Sequence, residues 1–400
     1  MRRERTAGLS VLIAVGTMLL AGTTTAFAAN PRASQSTGWR QAAELKGSGA
    51  LAGYRFGESV AISGATAIVG SGQLFYPDAA DRAYVFTKTA TGWKQAAELN
   101  GSDTVAAEDE FGWSVAISGT TAVVSAPGFA DAGRGYVFTK TATGWKQTAE
   151  LKGLDTAAKS AFGYSVAISG STLAVGDAAH AKGAGRAYVF AETGTGWKQT
   201  AELKGSDTAA GDQFGSSVAI SGTTVVVGAR LNTKGAGRAY VFKKTPTGWK
   251  QAAELKGSDT IAVDEFGGSV AISGTTVIVG AWSHSDGGAA YVFTKTASGW
   301  KQAAELKGSD AAGPEQFGGT VAISGTTIVV GACVDANCHG EAYIFNKTDV
   351  GWMQAAQLKG SDTAPSGDWF GESVGISGTT VVVGAPLHAK QAGRAYVFET

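Results

Sequence analysis

The chain has 400 residues, 33 Lys and Arg against 33 Asp and Glu, 44% hydrophobic residues and two cysteines. Zero net charge with no basic run excludes the positive stripe that phosphate backbones require, so nucleic acid is not an expected partner. Fifty-eight glycines against seven prolines describe a globular chain dense in tight turns, not a disordered one.

In chain order, Arg2, Arg3 and Arg5 precede an apolar run over residues 9–21 and a small-residue stretch, Ala26-Phe27-Ala28. This pattern predicts a signal peptide over residues 1–28 and a short linker over 29–35, with all of 36–400 left for the mature fold. Glu4, Arg5 and Thr6 after the arginine pair lack the apolar start of a twin-arginine signal, which favours general export. No Cys follows Leu20-Ala21-Gly22 to carry a lipid, and the chain closes on "AYVFET" without an apolar tail. The expectation is a secreted, extracellular, monomeric protein with no membrane span.

From residue 36 onward one unit is written repeatedly. Phe-Gly recurs at Phe56, Phe111, Phe162, Phe214, Phe266, Phe317 and Phe370, at intervals of 51 to 55 residues. Each copy carries variants of "FGxSVAISG", "TTVVVGA", "GRAYVF" and "GWKQAAELKG" in that order. The first two phrases are β-branched, apolar and too short for a buried helix, and a Ser-Gly turn such as Ser118-Gly119 separates them. "AYVF" and the phrase after "TATGW" supply two more strands. A period near 50 with four antiparallel strands per copy is the signature of a propeller blade.

The fourth phrase predicts an outer edge strand. Its Lys94 and Glu98 share a face and read as a solvated edge that discourages aggregation. In the copy at Met353 and Gln357 both charges vanish together, and the sequence alone offers no reason. The first fourth-strand phrase, "GWRQAAELKG" from Gly38, has no "AYVF" before it, and the last copy has no "GWKQ" after it. The N-terminal strand is therefore expected to complete the last blade. The predicted fold is all-β, a seven-bladed propeller of four-stranded antiparallel blades with a clasped ring and no second domain.

"FGxSVAISGTTxVVGA", with a copy ending Gly384-Ala385-Pro386, resembles the FG-GAP repeat of the integrin α-chain propeller and of exported bacterial proteins. The resemblance covers nearly all of residues 36–400 and implies a binding scaffold. It does not extend to calcium. Integrin-type repeats carry a D-x-D-x-D-G loop between the first and second strands, whereas here that connection is only "SGTT", "SGAT" or "SGST".

Antiparallel blades place the 1–2 and 3–4 connections on one rim and the 2–3 and 4–1 connections on the other. The first rim is nearly constant and the second varies, so a binding site is expected on the second. The ligand-binding candidates are Trp113, Tyr164, Trp282 and Trp369, which are aromatics outside the repeat phrases. They suit stacking on a sugar or anchoring a protein, and packing beneath their own loops is the plainer alternative. Asp109, Asp212, Asp264, Glu315 and Asp368, each two residues before a Phe-Gly pair, are weak candidates for a cation at the channel mouth. Capping of local turns explains them as well, and Tyr54 and Ser160 interrupt the set.

No cofactor or metal is expected. His180, His284, His339 and His388 belong to four blades and read as scattered surface residues, and the "GSD" phrases and the "GAG" of Gly183 to Gly185 read as turns. Cys333 and Cys338, close together in an exported chain, are expected to form an intraloop disulfide.

Gly371-Glu372-Ser373-Val374-Gly375 matches the G-x-S-x-G pattern of serine hydrolases. All six sister copies lack the second glycine, five of them keep the serine, and no helix follows to make a nucleophile elbow. The expected function is thus an exported, non-catalytic scaffold for a protein or cell-surface ligand, with a lectin-like glycan binder as the alternative and an enzyme a third, less favoured reading.

Overall fold

The computed structural model describes residues 38–72, 82–104, 109–128, 132–285, 287–310, 316–332, 340–364 and 367–400. The segments expected as signal peptide and linker, Glu315, His339 and the Cys333–Cys338 pair lie outside the described residues.

Seven four-stranded antiparallel sheets form, one for each Phe-Gly copy. Blade 1 consists of Phe56–Ser63, Thr66–Ser71, Arg82–Thr89 and Gly92–Leu99. Blade 7 takes Val374–Ser377, Thr380–Ala385 and Arg394–Glu399 from the end of the chain, and Arg40–Leu45 from its start. The clasp strand pairs antiparallel with the last one, from Arg40 opposite Glu399 to Leu45 opposite Ala395. Strand burial follows position in the blade. The second strand is buried along nearly its whole length, while the fourth alternates between exposed and half-buried residues until its terminal Leu. A one-blade sheet has two apolar faces and can bury them only against its neighbours.

The core is accordingly split into seven clusters, each straddling two adjacent blades. Phe56 is fully buried at one such junction, beside Tyr84 and Phe86 of its own blade and Val382, Ala395 and Val397 of blade 7. Its ring meets Phe86 edge-on at 5.9 Å, an arrangement favoured by the aromatic quadrupoles. The backbones come closer still. A methyl group at Gly384 would lie 2.0 Å from the Gly57 carbonyl oxygen, and one at Gly393 would lie 2.0 Å from that of Phe56. The glycines of "FG", "GA" and "GRAYVF" therefore interlock, and Phe56 makes a parallel bridge to Gly393 across the closing interface.

Side chains repeat the stitching around the ring. The Gly119 N–H donates to Ser63 Oγ at 3.0 Å, and the last bond of this set joins Gly64 N–H to Ser377 Oγ at 2.9 Å. At the periphery, Gln95 accepts from Ser48 N–H and donates to Ser48 Oγ, both at 2.9 Å. Gln41 repeats this with Ser361 and so ties the clasp strand to blade 6. The aspartate of "GSD" is more than a turn former. Asp103 accepts the Tyr136 hydroxyl of the next blade at 2.9 Å, and Asp362 that of Tyr396 at 2.8 Å. Burial, with these carboxylates, pushes the tyrosine pKa values up. Blade 1 has Gly49 at this place, and the buried Tyr84 hydroxyl has no hydrogen-bond partner among the described residues.

The edge glutamates are partnered, not merely solvated: Glu150 accepts from Arg134 Nε at 2.7 Å and Glu254 from Arg238 Nε at 2.9 Å. This explains the lost charge at Gln357. Blade 6 carries Glu341 where five of its six sisters have Arg, and a glutamate at 357 would face it. Instead the Gln357 amide donates to Glu341 and, at 3.0 Å, to Asp310. Nothing in the structure explains Met353.

Two outcomes test this architecture. Burial of Leu45 contributes about 2 kcal/mol and each clasp hydrogen bond about 1 kcal/mol. A chain starting near Ala52 is therefore expected to melt on the order of 10 °C below the full chain, and equal melting in calorimetry contradicts the clasp. Gly384→Ala should cost roughly 1–3 kcal/mol by overpacking. Gly375→Ala, whose methyl would find nothing nearer than 3.5 Å, should be neutral in the same denaturant titration.

Candidate functional site at the channel mouth

The first strands line the central channel in layers. Val, Ala and Ile layers, with Gly375 replacing one Ala, bound a cavity of about 220 Å³. Above them a cavity of about 300 Å³ opens at the rim that carries the 2–3 and 4–1 connections. Its outermost layer is the one variable letter of "FGxS": Glu58, Trp113, Tyr164, Ser216, Gly268, Gly319 and Glu372. Around the circle, two carboxylates from blades 7 and 1 stand beside two aromatics from blades 2 and 3, with small residues completing it.

The serine layer beneath is structural. Ser59 Oγ donates to the Gly112 carbonyl at 2.7 Å, and the buried Ser373 does the same to Gly57 at 2.7 Å. Ser373 thus holds blade 7 to blade 1, as its sister copies suggested.

All four aromatic candidates are half-buried. Trp113 and Tyr164 pack with ring centroids 5.8 Å apart and planes tilted by 51° on the channel mouth, and the Trp113 indole N–H donates to the Tyr164 carbonyl at 3.1 Å. Trp282 packs on Gly268, where a Cβ would meet its Cδ1 at 3.0 Å, and it hydrogen-bonds Glu265. Trp369 lies under the Arg55 guanidinium, 5.1 Å from its ring centroid. Only Trp113 and Tyr164 among the four are brought together at the mouth. Tyr164 also borders a second cleft of about 380 Å³, with Lys159, Lys182 and Gln213 in its lining.

The four described carboxylates before Phe-Gly do not line the mouth. Asp212 accepts from Ala209 N–H at 2.7 Å and from Asn232 Nδ2 at 3.0 Å. Asp264 and Asp368 likewise cap a backbone N–H at 2.7 Å and accept from His284 Nδ1 at 2.7 Å and His388 Nδ1 at 3.0 Å. Asp109 is buried. Each of the four belongs to its own blade's loop. The described histidines occupy separate blades as expected, but they are not loose surface groups. His284 is 4% exposed, and each of the three reaches a "GSD" aspartate through Nε2 at 3.5 to 3.6 Å. The Gly183 to Gly185 stretch closes a short turn after His180–Gly183, whose Ala181 and Lys182 are left-handed.

Sequence reasoning missed Glu58 and Glu372 as mouth residues. Aligning the "x" of "FGxS" across the copies was the available signal. Burial holds the Glu58 carboxyl up at about 7, against the opposing pull of Arg55 at 3.2 Å. The folded state therefore binds this proton more tightly than the unfolded chain. Its contribution to stability is complete below the unfolded pKa of 4.5 and is lost as pH rises through about 7. Glu58→Gln should remove that loss, worth about 2–3 kcal/mol. Melting temperature against pH should be flatter between pH 4.5 and 7 in the variant than in the wild type.

A closed ring of seven antiparallel four-stranded blades defines the chain as a seven-bladed β-propeller. The sequence matches the FG-GAP repeat family over residues 39–86, 93–138, 145–190, 197–242, 249–293, 300–345 and 352–398, and the chain belongs to that family. A search of curated proteins finds no match. Among solved structures it is similar to a chain of "Crystal Structure of Mitotic Checkpoint Complex", at 12% identity and TM-score 0.58, covering 96% of this chain and 99% of that one. It is also similar to "Crystal structure of the Chaetomium thermophilum Sqt1", at 15% identity and TM-score 0.53, covering 86% and 82%. Both likenesses concern the fold alone. No helix among the described residues is long and apolar enough to cross a membrane.

Proposed function

We propose that the protein is an exported, non-catalytic scaffold that engages a protein or cell-surface ligand on the rim of the 2–3 and 4–1 connections. One observation carries the reading: the two rims differ in how their residues are used. On one rim the turn residues are committed to repeated hydrogen bonds, such as Thr141 Oγ1 to the Gly144 carbonyl at 2.8 Å. On the other, non-repeat side chains collect at the mouth, and Trp113 and Tyr164 offer amphipathic surface to a partner. Lys159 and Lys182 in the adjoining cleft favour a ligand that carries carboxylate or sulfate groups.

The glycan alternative rests on the same aromatic pair. It is less favoured because the pair occurs at two blades and is not repeated around the ring.

Immobilised protein offered cell-surface extracts and a glycan array tests both readings. Trp113→Ala with Tyr164→Ala should weaken capture of a specific protein at least tenfold, while Thr143→Ala on the opposite rim should leave it intact. Capture lost with Thr143→Ala and retained in the double variant overturns the rim assignment. Array hits competed by a free sugar favour the glycan reading.

A further inference from the structure

Blades 3, 5 and 7 repeat one arrangement. A histidine from the 2–3 connection points Nε2 at the "GSD" aspartate, and a glutamate of the outer strand belongs to the same niche. In blades 3 and 7 that glutamate is taken by arginine: Arg186 Nε lies 2.6 Å from Glu202, and Arg394 Nε lies 2.5 Å from Glu44. Blade 5 has Ala289 at the arginine position, and Glu305 is left beside Asp259 and His284. Among the described residues this trio alone brings three such ligand atoms within 4.8 Å of one another.

From this geometry we propose that Asp259, His284 and Glu305 form a binding site for a divalent cation of the zinc type. His284 is oriented for the role. Its Nδ1 is held 2.7 Å from the buried Asp264 carboxylate, which fixes the tautomer with Nε2 free to ligate. A carboxylate behind a ligating imidazole is the usual outer-shell arrangement of such sites. One imidazole and two carboxylates leave a fourth tetrahedral position for water. Ligands about 2.0–2.2 Å from zinc lie about 3.3–3.5 Å apart, so the trio must close by roughly 1 Å. Asp259 and Glu305, with side chains 48% and 26% exposed, have room to do so and leave an entry path. The other groups in the niche are compatible. Tyr291 donates to the second oxygen of Asp259 at 2.8 Å, Ser285 Oγ lies 3.3 Å from Nε2, and the exposed Lys307 ammonium, 2.9 Å from Glu305, can swing into solvent.

The repeat itself supplies variants its fold tolerates. His284→Asn copies Asn232 of blade 4, Glu305→Gln copies Gln357 of blade 6, and Ala289→Arg restores the arginine of blades 3 and 7. Isothermal titration of the full chain with Zn²⁺ alone should show one site per chain. Each substitution should weaken it at least tenfold while circular dichroism and melting without metal stay within a few degrees of wild type. Absence of a one-to-one site in the wild type overturns the proposal. So does a site that survives Ala289→Arg and His284→Asn, or one lost only when Cys333 and Cys338 are replaced by Ser.

Discussion

Everything in this propeller depends on how closely one blade's backbone approaches the next. At each junction the glycine of the second strand (Ser125 in blade 2) lies against the Phe-Gly peptide of the following blade, and in blades 2 to 7 the glycine before the third strand does too. A side chain at Gly384 or Gly393 would stand inside contact distance of a carbonyl oxygen. This contact lets Phe56 and its six counterparts seal the interface at a distance where apolar side chains from both sheets interdigitate. No blade carries its own core, so the ring has to close. The clasp strand is consequently an element of blade 7 as much as any other.

Seven repetitions of the same contacts turn deviations into information. Leu154 replaces the "GSD" serine, and its N–H still donates to Gln199 at 3.0 Å, so only the side-chain half of that clamp is given up. Glu341 reverses the sign at an arginine position, Gln357 replaces the glutamate that would face it, and the repeat's own Lys359 pairs with it. Ala289 removes the arginine, so Glu305 pairs with the exposed Lys307 instead and, with Asp259, stands beside a buried histidine.

The sheet topology, the constant rim and the structural role of Ser373 were legible in the sequence because each is repeated. Copy-to-copy comparison stands in for structure when seven blades obey one geometry. The mouth was partly legible. Trp113 and Tyr164 were visible as aromatics breaking the pattern. Glu58 and Glu372 were hidden because a glutamate beside a turn looks solvated until burial is known. The Asp–His niches were misread for a related reason. His284 lies 20 residues from Asp264, in a different connection, and no spacing rule joins them.

Periodicity thus determined the number of blades, their strand order and the clasp, since these follow from the repeated local pattern. Tertiary structure decided which variable residues meet. Trp113 reaches Tyr164, Arg55 covers Trp369 and Asp259 faces His284 only because ring closure and loop packing set their distances. Contacts made across blades carry no local signature in the chain.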